Sequence, residues 1–231
     1  MSKAIEGEAF ENPLPSSDVG DWVEDGSIED NASLSLPDLA EDIFFHRRLI
    51  PLSDCEPNVR CEMIAQIAET SLSSTLPGGL AGPLRYDRFI ARRFSLDISL
   101  IKDRYIHLGF RARPDRGVLL KSVQRVFESS LRATLENGLP QETLDAILLR
   151  LKNDLDGVLE RDRPGYNHRL AWGRLRLGKT IFSLSDQQKA LLDIRSNDVN
   201  RFLKALSKPD RALKRSVFAQ GSAETEKDLS K

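Results

Sequence analysis

Cysteine is nearly absent: Cys55 and Cys61 are the two among 231 residues. Two are too few for a disulfide scaffold, so reduced thiols in a reducing compartment are the simpler expectation. Histidine is scarce as well, and His46, His107 and His168 stand so far apart that no helix can present two of them at metal-ligand spacing. Also missing is any apolar run approaching the roughly 18 residues of a membrane span, which excludes a membrane partner on hydropathy. The start, MSKAIEGEAF, has neither the basic n-region nor the apolar h-region of a secretory signal, and cytoplasmic residence is expected. What is present is enough for one domain of ordinary size or two small ones, with 40% hydrophobic residues to build a core.

The net charge of −1 hides two opposite parts. Residues 1–42 hold 12 of the 35 acidic residues and a single base, Lys3, for a net −11; residues 43–231 carry about +10. The leader is also poor in core-forming residues and rich in Ser, Pro, Gly, Asp and Glu, the composition of a disordered acidic segment. It reads as a solvated tail, or as an acidic arm that screens the basic body or meets a partner, with Trp22 in DVGDWVED its one isolated Trp. At the other end, residues 221–231 read as a polar tail.

Between them, residues 43–220 have the pattern of one folded unit. IFFHRRLIPL, with β-branched and aromatic residues but broken alternation, reads as an edge strand ended by Pro51. Val59, Met63, Ile64, Ile67 and Ala68 fall at helical spacing, and LAGPLRYDRFI suggests a short helical piece beginning near Pro83. Phe94, Leu96, Ile98 and Leu100 alternate with polar residues; Ile106, Leu108 and Phe110 do the same beyond Lys102-Asp103-Arg104, which predicts an antiparallel pair. The period then changes to about 3.6. Leu120, Phe127, Leu131 and Leu135 mark one long helix stopped by Asn137-Gly138, and Leu144 to Leu159 mark a second after Pro140. Arg161-Asp162-Arg163-Pro164-Gly165 predicts a break, a third helix from about Tyr166 to Leu177, a fourth capped by Ser185 with Gln188, and a fifth behind Ser196. ALKRSVFAQ can return as a last strand. The order implies an α+β fold in which an antiparallel sheet has helices packed on one face.

This order, with two local phrases, resembles a domain of the pitrilysin/insulinase family of zinc metallopeptidases, of the type found in the C-terminal part of such proteins. Gly138-Leu139-Pro140-Gln141-Glu142-Thr143-Leu144 stands where the family has a stop followed by a helix with an acidic first turn. Asp193-Ile194-Arg195-Ser196-Asn197-Asp198-Val199 resembles a later helix-start phrase of the family. Catalysis in that family rests on H-x-x-E-H, two His binding Zn²⁺ and a Glu activating water. Nothing here matches that motif, so the resemblance implies a non-catalytic domain with no cofactor of its own, zinc being held by a partner domain or subunit and peptide being the substrate. The family also carries an Arg and, several residues on, a Tyr that reach toward the zinc site. Among Leu80, Leu84, Arg85, Ile90 and Ala91, Arg85 fits the first, while the Tyr position is Arg92, whose guanidinium can bind a carboxylate or carbonyl but cannot act as a phenol. An exposed strand edge could hold an extended peptide by β-addition.

Two other chemistries compete. Gly173 to Thr180 satisfies G-x-x-x-x-G-K-[ST], but a phosphate loop follows a parallel strand, and YNHRLAW reads as helix. Arg85, Arg88, Arg92, Arg93, Arg111, Arg113 and Arg116 near the hairpin could contact nucleic acid, with Tyr86, Phe89 and Tyr105 as stacking surfaces. No RNP-like, KH or zinc-finger phrase accompanies them, and nucleic acid is not the expected partner. A stand-alone protein-interaction module is the remaining alternative.

Overall fold

The computed structural model describes residues 29–35, 41–52, 55–56, 58–101, 104–176, 181–207 and 213–220, the first and last of these as backbone. The terminal segments 1–28 and 221–231 and the third to sixth residues of the Leu175-to-Thr180 stretch lie outside it.

Period-two segments build the sheet. Strands β1 (Glu29–Ser35), β2 (Ile43–Pro51), β3 (Ala91–Ile101), β4 (Tyr105–Pro114) and β5 (Leu213–Gln220) lie in the order β1-β5-β2-β4-β3. All neighbours are antiparallel except β1 and β5, which run parallel. The hairpin β3–β4 forms as the alternation predicts, and β5 forms at the expected C-terminal segment. Two expectations change. Strand β2 lies inside the sheet, hydrogen-bonded to β5 and β4, rather than at its edge. The acidic leader expected to be disordered through residue 42 contributes β1, a polar strand whose backbone pairs with β5.

Among the described residues five helices follow the 3.6 period: α1 (Val59–Ser73), α2 (Leu120–Asn137), α3 (Gln141–Arg176), α4 (Leu184–Asp193) and α5 (Ser196–Leu206). Between α1 and β3, Gly82–Tyr86 makes one π-helical turn with Pro near its start, the short piece expected there. Asn58 caps α1, its Oδ1 accepting from the Cys61 N–H at 3.0 Å. Gly138, at φ +77°, ends α2, and its N–H donates to the Thr134 carbonyl. The N-cap of α4 is Ser183 with Asp186, two residues before the expected pair, and α5 starts at Ser196 with Arg195 as its cap residue.

The break expected at Pro164 does not occur, because α3 runs unbroken for 36 residues through it. Contacts on both sides of the proline hold the axis. Asn167 Oδ1 accepts the Leu184 N–H at 2.9 Å, Tyr166 Oη donates to Gln187 Oε1 at 3.2 Å, and Gln188 donates to Asp156 at 2.8 Å. Packing against α4 thus overrides a local preference that costs up to about 3 kcal/mol in a helix interior. Pro164→Ala is therefore expected to stabilise the chain by up to about that amount, read as a rise in the urea midpoint.

The core lies between these helices and one sheet face. Phe44 and Ile50 of β2, Leu96, Ile98 and Leu100 of β3, and Ile106, Leu108, Phe110 and Ala112 of β4 meet Ile64, Ile67, Leu72, Val123, Phe127, Leu131, Leu144 and Phe202. The two cysteines, expected to be reduced, form a disulfide with a Cα–Cα distance of 5.8 Å. The first turn of α1 carries Cys61 back over the loop holding Cys55, within bridging distance.

Candidate peptide-binding face

Alternation that sends one set of strand residues into the core sends the other set to the opposite face, which stays outside the core cluster. Register places those outward residues in rows. Arg93 lies opposite Arg113; Ser95, Arg111 and Phe45 share the next row; Asp97, Gly109 and Arg47 share the third; Ser99, His107 and Leu49 share the fourth. Arg47, Arg93 and Arg111 are exposed and have no ion-pair partner among the described residues. The Arg111 guanidinium lies 5.5 Å from the centroid of Phe45. His107 Nδ1 meets Asp97 Oδ2 at 3.0 Å, and its ring leans over Gly109, where an added Cβ would come within 2.8 Å of it.

Of the residues singled out in sequence, Arg92 sits where this face meets the chain entering β2. Glu41 accepts hydrogen bonds from Arg92 and, at 3.2 Å, from Arg113. The Arg92 hydrogen bond, aided by the charges of both arginines, holds the Glu41 carboxyl below its ordinary range. Its stabilising contribution is thus present above the ordinary Glu value and fades as pH falls through the lowered one.

Arg85 is exposed in the π-helical turn, 5.5 Å from the ring of Tyr86. The Leu84 carbonyl accepts the Ile90 N–H at 2.9 Å, closing the loop that separates Arg85 from Arg92, and no described hydrogen bond or ion pair joins the two. That loop displays Tyr86 and Phe89, the latter 65% exposed with φ +50°. Arg47 belongs to the open face but carried no signal in sequence. Its parity with Phe45 and Leu49 relates it to Arg111 only once the register of β2 on β4 is known.

The β3 edge is partly taken. Glu69 of α1 accepts the Ile98 N–H at 2.9 Å, covering one of the groups that β-addition of a peptide would need. Burial pushes the Glu69 carboxyl up, outweighing the Ile98 hydrogen bond, while Asp97 adds to the rise. A carboxyl raised by folding binds a proton in the folded state that the unfolded chain has released, so Glu69 costs stability as pH rises from the ordinary Glu value through the raised one. Glu69→Gln is expected to raise the thermal midpoint at neutral pH, with the difference closing as the solution is acidified through the ordinary Glu range.

The three histidines do not converge. His46 is buried on the helix-covered face, His107 lies on the open face, and His168 is exposed on α3. Among the described residues no group of three His, Cys, Asp or Glu is placed to hold a metal ion, and no helix is long and apolar enough to cross a membrane. In the phosphate-loop match, Gly173 to Arg176 are the last turn of α3, not the residues after a parallel strand; Gly178, Lys179 and Thr180 lie outside the described residues.

No family model and no curated protein matches the sequence. Solved structures match by fold. They include a protease from Helicobacter pylori, with TM-score 0.63 and 18% identity over 83% of this chain and 44% of that one. An insulinase family protease from Yersinia pestis gives TM-score 0.64 and 16% identity over 87% and 44%, and the periplasmic protease PqqL from Escherichia coli gives 0.61 and 18% over 83% and 21%. This chain spans less than half the length of each. The α+β fold expected from the pitrilysin/insulinase resemblance is the fold observed.

Proposed function

We propose that this chain serves as a non-catalytic, C-terminal-type domain of a zinc metallopeptidase of the pitrilysin/insulinase family, forming one wall of a peptide-binding chamber. The carrying observation is a five-stranded sheet with helices on one face and polar, arginine-bearing rows on the other. A zinc-bearing partner domain or subunit would supply hydrolysis, since this chain has no H-x-x-E-H and its histidines lie on different faces. In this reading the open face, rather than the Glu69-covered edge of β3, lines the chamber, and Arg85 beside it offers a cationic donor to substrate carbonyls or carboxylates.

The test is association and activity. The chain used as bait in native extract should recover a protein bearing H-x-x-E-H. The purified chain alone should show no chelator-sensitive peptidase activity, and the pair should show it. Arg85→Ala should lower kcat/KM of the pair about tenfold or more, as expected for a lost charged hydrogen bond. Chelator-sensitive hydrolysis by the chain alone, or repeated failure to recover such a partner, would overturn the proposal.

A further inference from the structure

Resting on the reading of the open face as a chamber wall, we infer that it selects extended acidic peptide segments, with carboxylates at alternating positions, from another molecule. Three observations converge on this ligand. The arginines occupy successive outward rows: Arg93 beside Arg113, then Arg111, then Arg47 one strand over. Rows on one face recur about every 6.8 Å along a strand, and one step along plus one strand over is about 8 Å, which long arginine side chains can bring to the roughly 6.8 Å interval at which an extended peptide repeats its same-side side chains. Glutamates at i, i+2 and i+4 of a bound peptide would therefore meet one arginine each.

The second observation is charge left unmatched in a defined direction. Arg47, Arg93 and Arg111 have no ion-pair partner among the described residues, whereas Asp97 on β3 lies in the row of Arg47 at the far side of Gly109. An acidic peptide gains by following the diagonal from β3 through β4 to β2, away from Asp97. His107, hydrogen-bonded to Asp97, and the hydroxyls of Ser95 and Ser99 complete the polar groups facing this path on β3 and β4.

The third is a carboxylate already seated in this setting: Glu41 bridges Arg92 and Arg113 at the end of the same face. A nucleic acid is the poorer match. Its single strands seek free aromatic platforms, yet Phe45 is engaged by Arg111, and Tyr86 and Phe89 lie in the loop before β3 rather than on the rows.

Fluorescence anisotropy on the full chain decides the matter. A labelled peptide carrying Glu-x-Glu-x-Glu among otherwise uncharged residues is compared with an isomer whose three glutamates are contiguous. The alternating peptide should bind about fivefold tighter, the value of one exposed ion pair, and should weaken as salt is added. Arg47→Gln with Arg111→Gln should weaken it about tenfold, while Arg47→Lys with Arg111→Lys should retain most binding; far-ultraviolet circular dichroism should not change in either. Equal binding of both isomers, or no loss in the Gln pair, overturns the inference. So does an oligonucleotide of equal charge that binds more tightly. Much tighter peptide binding after Glu6, Glu8 and Glu11 are replaced by Gln would assign the face to the chain's own leader and overturn it too. These measurements use the chain alone and read no hydrolysis, so their failure is separate from a failure to find a zinc-bearing partner.

Discussion

Replacing Phe127 with Ala is expected to lower the unfolding free energy by about 3–5 kcal/mol, among the largest effects of any single substitution in this chain. Phe127 projects from the middle of α2 into the sheet and is fully buried. Its ring stacks on Phe110 of β4 with centroids 3.8 Å apart at 12°, and meets Phe44 and His46 of β2 edge-on at 6.3 Å and 5.2 Å. One side chain therefore joins a helix to two strands, and the rings around it cannot close the gap without leaving their own positions. His46 adds to the cost: it is fully buried, receives the Arg48 Nε hydrogen bond at 3.0 Å, and would face a void. Phe127→Leu, which keeps most of the volume, should cost markedly less. Urea unfolding followed by far-ultraviolet circular dichroism checks both. A loss below about 1 kcal/mol for Phe127→Ala would mean that α2 is held to the sheet by its other apolar residues instead.

That aromatic cluster was half legible in the sequence, and the reason shows what a single chain reveals. Phe110 and Phe127 stood in clean periodic patterns, because β3–β4 and α2 each bury one regular face, and local periodicity reports such burial directly. Phe44 lay in a segment whose alternation is broken by Arg47 and Arg48, so β2 looked like an edge. Its central place comes from β5, some 170 residues later, and such a pairing leaves no local trace. Strand β1 was illegible for a similar reason: EDNASLS offers just Ala32 and Leu34 as an apolar alternation, too short to announce a strand, and its pairing is with β5, far along the chain. Pro164 misled in the opposite sense, since a strong local signal yielded to the docking of α4. For the candidate site, Arg85 and Arg92 could be reached through the family resemblance. The grouping of Arg47 with Arg93 and Arg111 could not, because a shared face requires strand register.

The other large effect is expected at the far end of α3. Arg174 lies in its last turn, and its guanidinium donates through both terminal nitrogens to the two carboxylate oxygens of Glu62, one of these bonds measuring 2.9 Å. The side chains are 9% and 19% exposed, so water screens the pair poorly. The same guanidinium lies 3.6 Å from the centroid of Phe182, which precedes α4. Glu62 is placed to receive it because it sits in the first turn of α1, where the helix dipole also favours a carboxylate. Arg174→Met removes from Glu62 a buried counter-charge, and Glu62→Met does the reverse; each should cost about 3–5 kcal/mol. The double replacement removes both charges and substitutes apolar volume, so it should be more stable than either single variant. A double-mutant cycle by urea unfolding reads this coupling, and hydrogen exchange should show faster opening of the last turns of α3 in the single variants. Additive losses in the cycle would overturn the assignment. Strong coupling would mean that a 36-residue helix, exposed at Trp172 and Leu175 near its end, is fastened there in part by this buried ion pair, so that anything competing for Glu62 loosens α3 and the approach to α4 together.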